Sequence, residues 1–176
     1  MKKYRFAIIA SGLDADSDEF ENCLFEAGCG DSTASFQKGL IILEFSREAK
    51  SFAHALISAF ADVHKAGAKV ERFEPDHLVS LSDIAVRSGM SKAAISLYCK
   101  GERGAGFPAP IARVMSESPL WDWVDVSRWM HKHDKISSDA VLEARLVREA
   151  NLVSRQEKAP QDVFAKRIES IAALAA

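Results

Sequence analysis

Between Arg87 and Arg113 the chain carries five cations (Arg87, Lys92, Lys100, Arg103 and Arg113) against one acid, Glu102. Ammonium and guanidinium groups gathered in this way donate hydrogen bonds to phosphate oxygens and to the acceptor edge of guanine. Ser91 and Ser96 lie among them, and a hydroxyl can donate or accept. The formal net charge of the whole chain is only -2, but it is unevenly spread. Residues 1–77 hold 9 Lys/Arg and 13 Asp/Glu, residues 78–135 hold 8 and 6, and residues 136–176 hold 6 of each. A local basic stretch on an otherwise acidic chain suits contact with nucleic acid, with the acidic part turned away.

Other chemistries find no support in the residue pattern. The three cysteines (Cys23, Cys29 and Cys99) form no C-x-x-C pair, which argues against a disulfide framework and against a zinc ribbon. The five histidines include no H-E-x-x-H, and His131 and His133 diverge on a helix because they are two residues apart. "ASGLDADSDE" has acids near a turn but lacks the Gly and Glu spacing of a calcium loop. There is no Gly-rich phosphate loop and no G-x-S-x-G, so no catalytic residue, no cofactor and no metal is expected. Cys99, with no base near it, reads as a small filler, and Trp121, Trp123 and Trp129 read as core. Apolar residues make up 48% and charged residues 27%, a globular balance. No apolar run approaches the roughly 20 residues that span a bilayer. The opening "MKKYRFAIIASG" has too short an apolar run for a signal segment, so a cytoplasmic protein with no membrane contact is expected.

The elements that would position the basic stretch follow from periodicity and punctuation. In residues 1–76, "YRFAIIAS" reads as a strand, and "SDEFENCLFEAG" as a helix capped by Ser17 and closed by Gly28. "DSTASFQKG" and "LIILEFSR" read as strands joined at Lys38-Gly39. "SFAHALISAFADVHKAG" reads as a helix and "AKVERFEP" as a strand. The order β-α-β-β-α-β is that of the ferredoxin-like split βαβ unit. "KGLIILEF" echoes an RNA-binding signature, but Leu40 and Ile42 stand where stacking rings are needed, so RNA binding is not expected. Pro75-Asp76 marks a boundary.

Residues 77–135 form the second unit. Ser80-Leu81-Ser82-Asp83 is a capping box, Ile84 and Ala85 face inward, and Gly89 permits a sharp turn. Ser91 caps a second helix that turns Ile95 and Tyr98 inward. Here the sequence resembles the helix-turn-helix family of bacterial DNA-binding proteins, with Ala85, Gly89, Ile95 and Tyr98 at the family's offsets. The following "GERGAGFPAPIARVMSESPLWDWVDVSRWM" resembles the wing and next helix of excisionase-like and MerR-like winged helices, extending the likeness over residues 78–133. In that reading Phe107-Pro108 opens a strand, Ser116-Glu117-Ser118-Pro119 turns a hairpin, 120–123 return, and a helix starts at Asp125.

The resemblance implies double-stranded DNA as partner. Ser91, Lys92, Ala93, Ser96, Leu97 and Lys100 then point outward from the second helix. Lys92 would reach a guanine edge, Ser96 either base type, and Ala93 or Leu97 a thymine methyl. Lys100, Arg103 and Arg113 would hold phosphates. From Ile136 a helical tail is expected, with Val141, Leu142, Leu146 and Val153 on one stripe, a break at Lys158-Ala159-Pro160, and Val163, Phe164, Ile168 and Ile171 beyond. Taken together, an α+β fold is expected: a ferredoxin-like domain (1–76), a winged helix-turn-helix (77–135) and a helical tail (136–176). The expected function is a homodimeric transcriptional regulator, a repressor of its own operon. The alternative is an antitoxin or adaptor that binds a partner protein through the first domain or the tail.

Overall fold

A computed structural model of the chain describes residues 1–154 and 161–174. It is a mixed α+β structure, with a four-stranded antiparallel sheet and seven helices among the described residues. The chain divides into two compact units, Met1–Pro75 with Leu146–Ala176, and Asp76–Arg145.

In the first unit β1 (Lys2–Ser11), α1 (Phe20–Leu24), β2 (Ser32–Gln37), β3 (Leu40–Ala49), α2 (Phe52–Lys65) and β4 (Lys69–Glu74) follow one another. The strands lie in the order β2-β3-β1-β4, and every neighbouring pair is antiparallel. Alternation along β3 buries Ile41, Leu43, Phe45, Arg47 and Ala49 on one face. Lys38 and Gly39 both take positive φ (54° and 76°), the two-residue turn whose twist matches its strands. Ser51 caps α2, its Oγ accepting from His54 N at 3.3 Å.

The first helix is shorter than residues 17–28. It runs only from Phe20 to Leu24 and continues as a π-helical turn over Phe25–Cys29, where Gly28 takes φ 111°. Ser17 does not cap it, because Ser17 closes a turn of its own: its carbonyl accepts from Phe20 N and its hydroxyl from Glu19 N. Asp14 likewise folds onto Asp16 N, so the acids of this stretch make local turns that compete with helix.

α6 (Ser138–Ser154) and α7 (Gln161–Ala173) complete the chain. They do not form a separate tail. Residues up to Arg145 group with the second unit, and those from Leu146 with the first. Phe164 stacks on Phe60 with ring centres 3.9 Å apart and lies 5.6 Å from Phe73, and Ile168 is buried nearby on the same helix. Arg167 of α7 also bonds the carboxylate of Glu149. The expected break at Lys158-Ala159-Pro160 lies outside the described residues.

The second unit contains β5 (Leu78–Val79), α3 (Leu81–Ser88), α4 (Lys92–Cys99), β6 (Trp121–Asp122), α5 (Trp123–Lys132) and the start of α6. β5 and β6 pair antiparallel. Its core gathers Val79, Ile84, Ile95, Val124, Val126 and Met130 with the three tryptophans, as expected for those rings. α5 begins two residues earlier than Asp125, because Asp122 is the better cap: its Oδ1 accepts from Val124 N at 2.7 Å.

Candidate nucleic-acid interface

The helix pair is built by short-range chemistry. Ser80 Oγ accepts from Asp83 N (3.3 Å) while Asp83 Oδ2 accepts from Ser80 N (2.8 Å), the reciprocal capping box. The Ser80 hydroxyl also donates to Asp83 Oδ2 at 2.6 Å, and this bond draws the Asp83 carboxyl below its ordinary range, so it is charged where the helix dipole favours a negative group. At the other end Gly89 takes φ 67°, and Met90 N reaches back to Ala85 O at 3.1 Å. Ser91 Oγ then accepts from Ala94 N at 3.2 Å and starts α4. Ile84 and Ala85 of α3 share one buried cluster with Ile95 and Tyr98 of α4. Burial of Ile95 alone is worth about 1.5–3 kcal/mol.

Because Ile95 and Tyr98 turn inward, the opposite face of α4 is open. Lys92, Ala93, Leu97 and Lys100 are exposed and Ser96 is half-buried. Lys92, Ser96 and Lys100 are spaced i, i+4, i+8 and form one line, with Ala93 and Leu97 beside it. Ser91, grouped with these residues in the sequence, uses its oxygen as the cap and is a positioning residue first. Lys92 stands in the first turn of α4, where the helix dipole disfavours a cation by about 0.3–1 kcal/mol. Its place is therefore not explained by helix stability.

Arg103 follows the helix. Gly101 takes φ 72°, and the amides of Glu102 and Arg103 both donate to Leu97 O (2.9 and 3.2 Å). The guanidinium lies 5.4 Å from the centre of the Tyr98 ring, a cation–π contact that orients it while leaving it exposed. The Gly-rich stretch behind it is clamped. Trp129 Nε1 donates to Ala105 O and Trp121 Nε1 to Pro108 O, each at 3.0 Å. A Cβ on Gly104, whose φ is +68°, would sit 3.0–3.2 Å from the Trp129 and Tyr98 rings. Phe107 lies against Trp129 with centres 5.0 Å apart.

The following hairpin differs from the sequence reading. Phe107-Pro108 is not strand, since its prolines at 108 and 110 offer no N–H and its backbone is held by the indoles instead. Pairing is reduced to one bridge, Ala112 with Leu120, supported by Ile111 N and Ala112 N on Leu120 O (2.8 and 3.1 Å). β6 pairs with β5 rather than with residues 107–110. The turn forms at 113–116, not 116–119. Arg113 takes φ 51°, and its carbonyl accepts both the amide and the hydroxyl of Ser116.

Thus α4 brings together Lys92, Ala93, Ser96, Leu97 and Lys100, with Arg103 just beyond its end. Arg113 is exposed on the hairpin, and among the described residues no hydrogen bond joins its side chain to α4. Two features escaped the sequence reading. Val114 and Met115 at the hairpin tip are 60% and 102% exposed; their only signal is an apolar pair inside a turn. Arg87 is held 5.5 Å over the Trp123 ring, a contact between residues 36 apart that no local pattern announces.

Nearby ionisable groups are structural. Burial pushes the Cys99 thiol up, away from nucleophilic chemistry. His133 Nδ1–H donates to Trp129 O at 2.7 Å, and its ring stacks on Trp129. The His77 imidazole, its Nδ1 2.9 Å from Asp76 Oδ1, draws the Asp76 carboxyl down to about 2. Among the described residues no group of three His, Cys, Asp or Glu gathers to hold a metal ion, and no helix is long and apolar enough to cross a membrane. Compared with known proteins, the chain matches no family model, no curated protein and no solved structure.

Proposed function

We propose that this protein is a cytoplasmic, non-catalytic transcriptional regulator that binds a specific DNA duplex through α3 and α4. The observation that carries the reading is the line Lys92, Ser96, Lys100 on the open face of a capped helix, set against α3 through a glycine turn. In this reading the second unit is a winged helix-turn-helix, α4 lies in a major groove, and Arg103 and Arg113 hold phosphates. The first unit is a ferredoxin-like assembly or sensing domain, which fits its strand order and its acidic balance. The protein acts as a homodimer, because one small unit reads few base pairs and a two-fold pair reads two half-sites. Repression of its own operon is the simplest use.

The test is fluorescence anisotropy with a duplex from upstream of the gene and a scrambled duplex, each at two salt concentrations. Tight binding to the native duplex alone, weakening with salt by several charges, is expected. Equal, weak binding to both would refute self-regulation and favour the adaptor reading, for which the acidic first unit is the supporting observation.

A further inference from the structure

We infer that the outer edge of β2 is a docking site for an extended, positively charged segment of a partner protein, added to the sheet as a fifth strand. This inference is independent of DNA binding.

The sheet ends in β4 on one side and β2 on the other. The β4 edge is covered at Phe73, whose N–H and C=O are both bonded by the Asn151 amide. The β2 edge has no such cover: among the described residues no strand lies beyond it, and no side chain bonds the main chain of residues 33–37. Edges are ordinarily guarded by lysine, proline, a bulge or an inward charge. "STASFQ" has none of these, and it runs in unbroken register with β3 from Ser32↔Phe45 to Gln37↔Leu40. Six residues of strand offer about 20 Å of main-chain donors and acceptors.

The side chains beside that edge define the occupant. Ser32, Ala34 and Phe36 lie opposite Phe45, Leu43 and Ile41, on the buried face. Phe36 packs on Phe20 (5.0 Å) yet stays 49% exposed, and Phe25 is 73% exposed. Open grooves run between residues 15–30 and β2, with Asp18, Glu21 and Asn22 on one bank and Ala34 and Phe36 on the other. Residues 14–37 hold seven acids (Asp14, Asp16, Asp18, Glu19, Glu21, Glu26 and Asp31) and no Lys or Arg. Of these, Asp31 is paired with Arg47. A second copy joined edge to edge would bring the same acidic segment against itself, and like charges oppose that pairing. A strand with alternating basic and apolar residues, its lysines on the face of Ala34 and Phe36, satisfies both features: main-chain bonds to β2, lysine stems against Phe36, and their ammonium groups toward Asp18 and Glu21.

The probe is a fluorescein-labelled eight-residue peptide of alternating Lys and Val, with a Glu/Val peptide as control, titrated into the full chain. Saturable binding of the Lys/Val peptide alone is expected. It should weaken at least tenfold in the double variant D18K/E21K, whose changes lie on exposed residues. Hydrogen exchange at residues 32–37 should slow when the peptide binds. No binding, equal binding of both peptides, or binding with unchanged exchange at 32–37 would overturn the proposal. A wild-type dimer by sedimentation that Phe36→Lys converts to monomer would overturn it too, by making a second copy the occupant.

Discussion

The side-chain amide of Asn151 bonds both main-chain groups of Phe73, accepting from its N–H at 2.6 Å and donating to its C=O at 3.0 Å. The two residues are 78 apart in sequence, and both are buried. One side chain thereby does at β4 what a neighbouring strand would do, and fixes α6 to the sheet.

Asn151→Ala leaves a buried N–H and a buried C=O without partners, each worth about 1–3 kcal/mol. The expected loss is at least about 2 kcal/mol, read as a lower urea midpoint. The exposed neighbour Leu152→Ala should change little. Equal effects would mean that water replaces the amide.

Arg47, 6% exposed, bonds Asp31 twice (2.8 and 2.9 Å), Asp62 (2.7 Å), Ser58 Oγ and Gly28 O. Removal of one partner from a buried ion pair costs about 3–5 kcal/mol. Arg47→Ala should cost this much in thermal or urea unfolding, whereas Glu44→Ala, exposed on the same strand, should be near neutral. Cys29, pushed up to about 11 chiefly by burial, should resist alkylation at pH 8 in the wild type.

Lys92→Ala should relax base preference, at about 1–3 kcal/mol if the contact is bidentate. Arg113→Ala should weaken all duplexes alike and flatten the salt dependence. Anisotropy against native and scrambled duplexes separates the two, and wild-type behaviour in both variants would move the contact surface elsewhere.

Asp76 contributes a pH dependence. Its folded value of about 2 lies below the ordinary carboxylate value, so the stabilisation is fully present above about pH 4. It is lost as the pH falls from 4 through 2. Asp76→Asn should lower the melting temperature at pH 7 and reduce its further fall between pH 4 and 2. Parallel acid curves for variant and wild type would contradict the assignment.

The helix pair is legible in the sequence because everything that defines it is local. Ser80, Asp83, Gly89 and Ser91 each act within a few residues, so their types and spacing suffice. The strands of the first unit are legible through alternation, and the 38–39 turn through its glycine. α1 misleads because a capping serine and acids also favour tight turns, and only packing decides between them. The hairpin misleads for a related reason: Trp121 and Trp129 fix residues 105–108 by indole bonds that no pattern in the Gly/Pro stretch announces. Asn151, Arg47 and the stacking of Phe164 depend on partners far along the chain, which periodicity cannot pair. The exposed face of α4 follows from knowing that Ile95 and Tyr98 are core, so its five members are as legible as those two.

The return of α7 to Phe60 and Phe73 has a consequence for the order of synthesis. On a ribosome, Asp76–Arg145 emerges in full before the residues that complete the first unit. The first unit is therefore completed after the second. Until Asn151, Phe164 and Ile168 arrive, the nascent sheet presents an unpaired β4 edge and an uncovered aromatic pair, the surfaces that a holding chaperone binds.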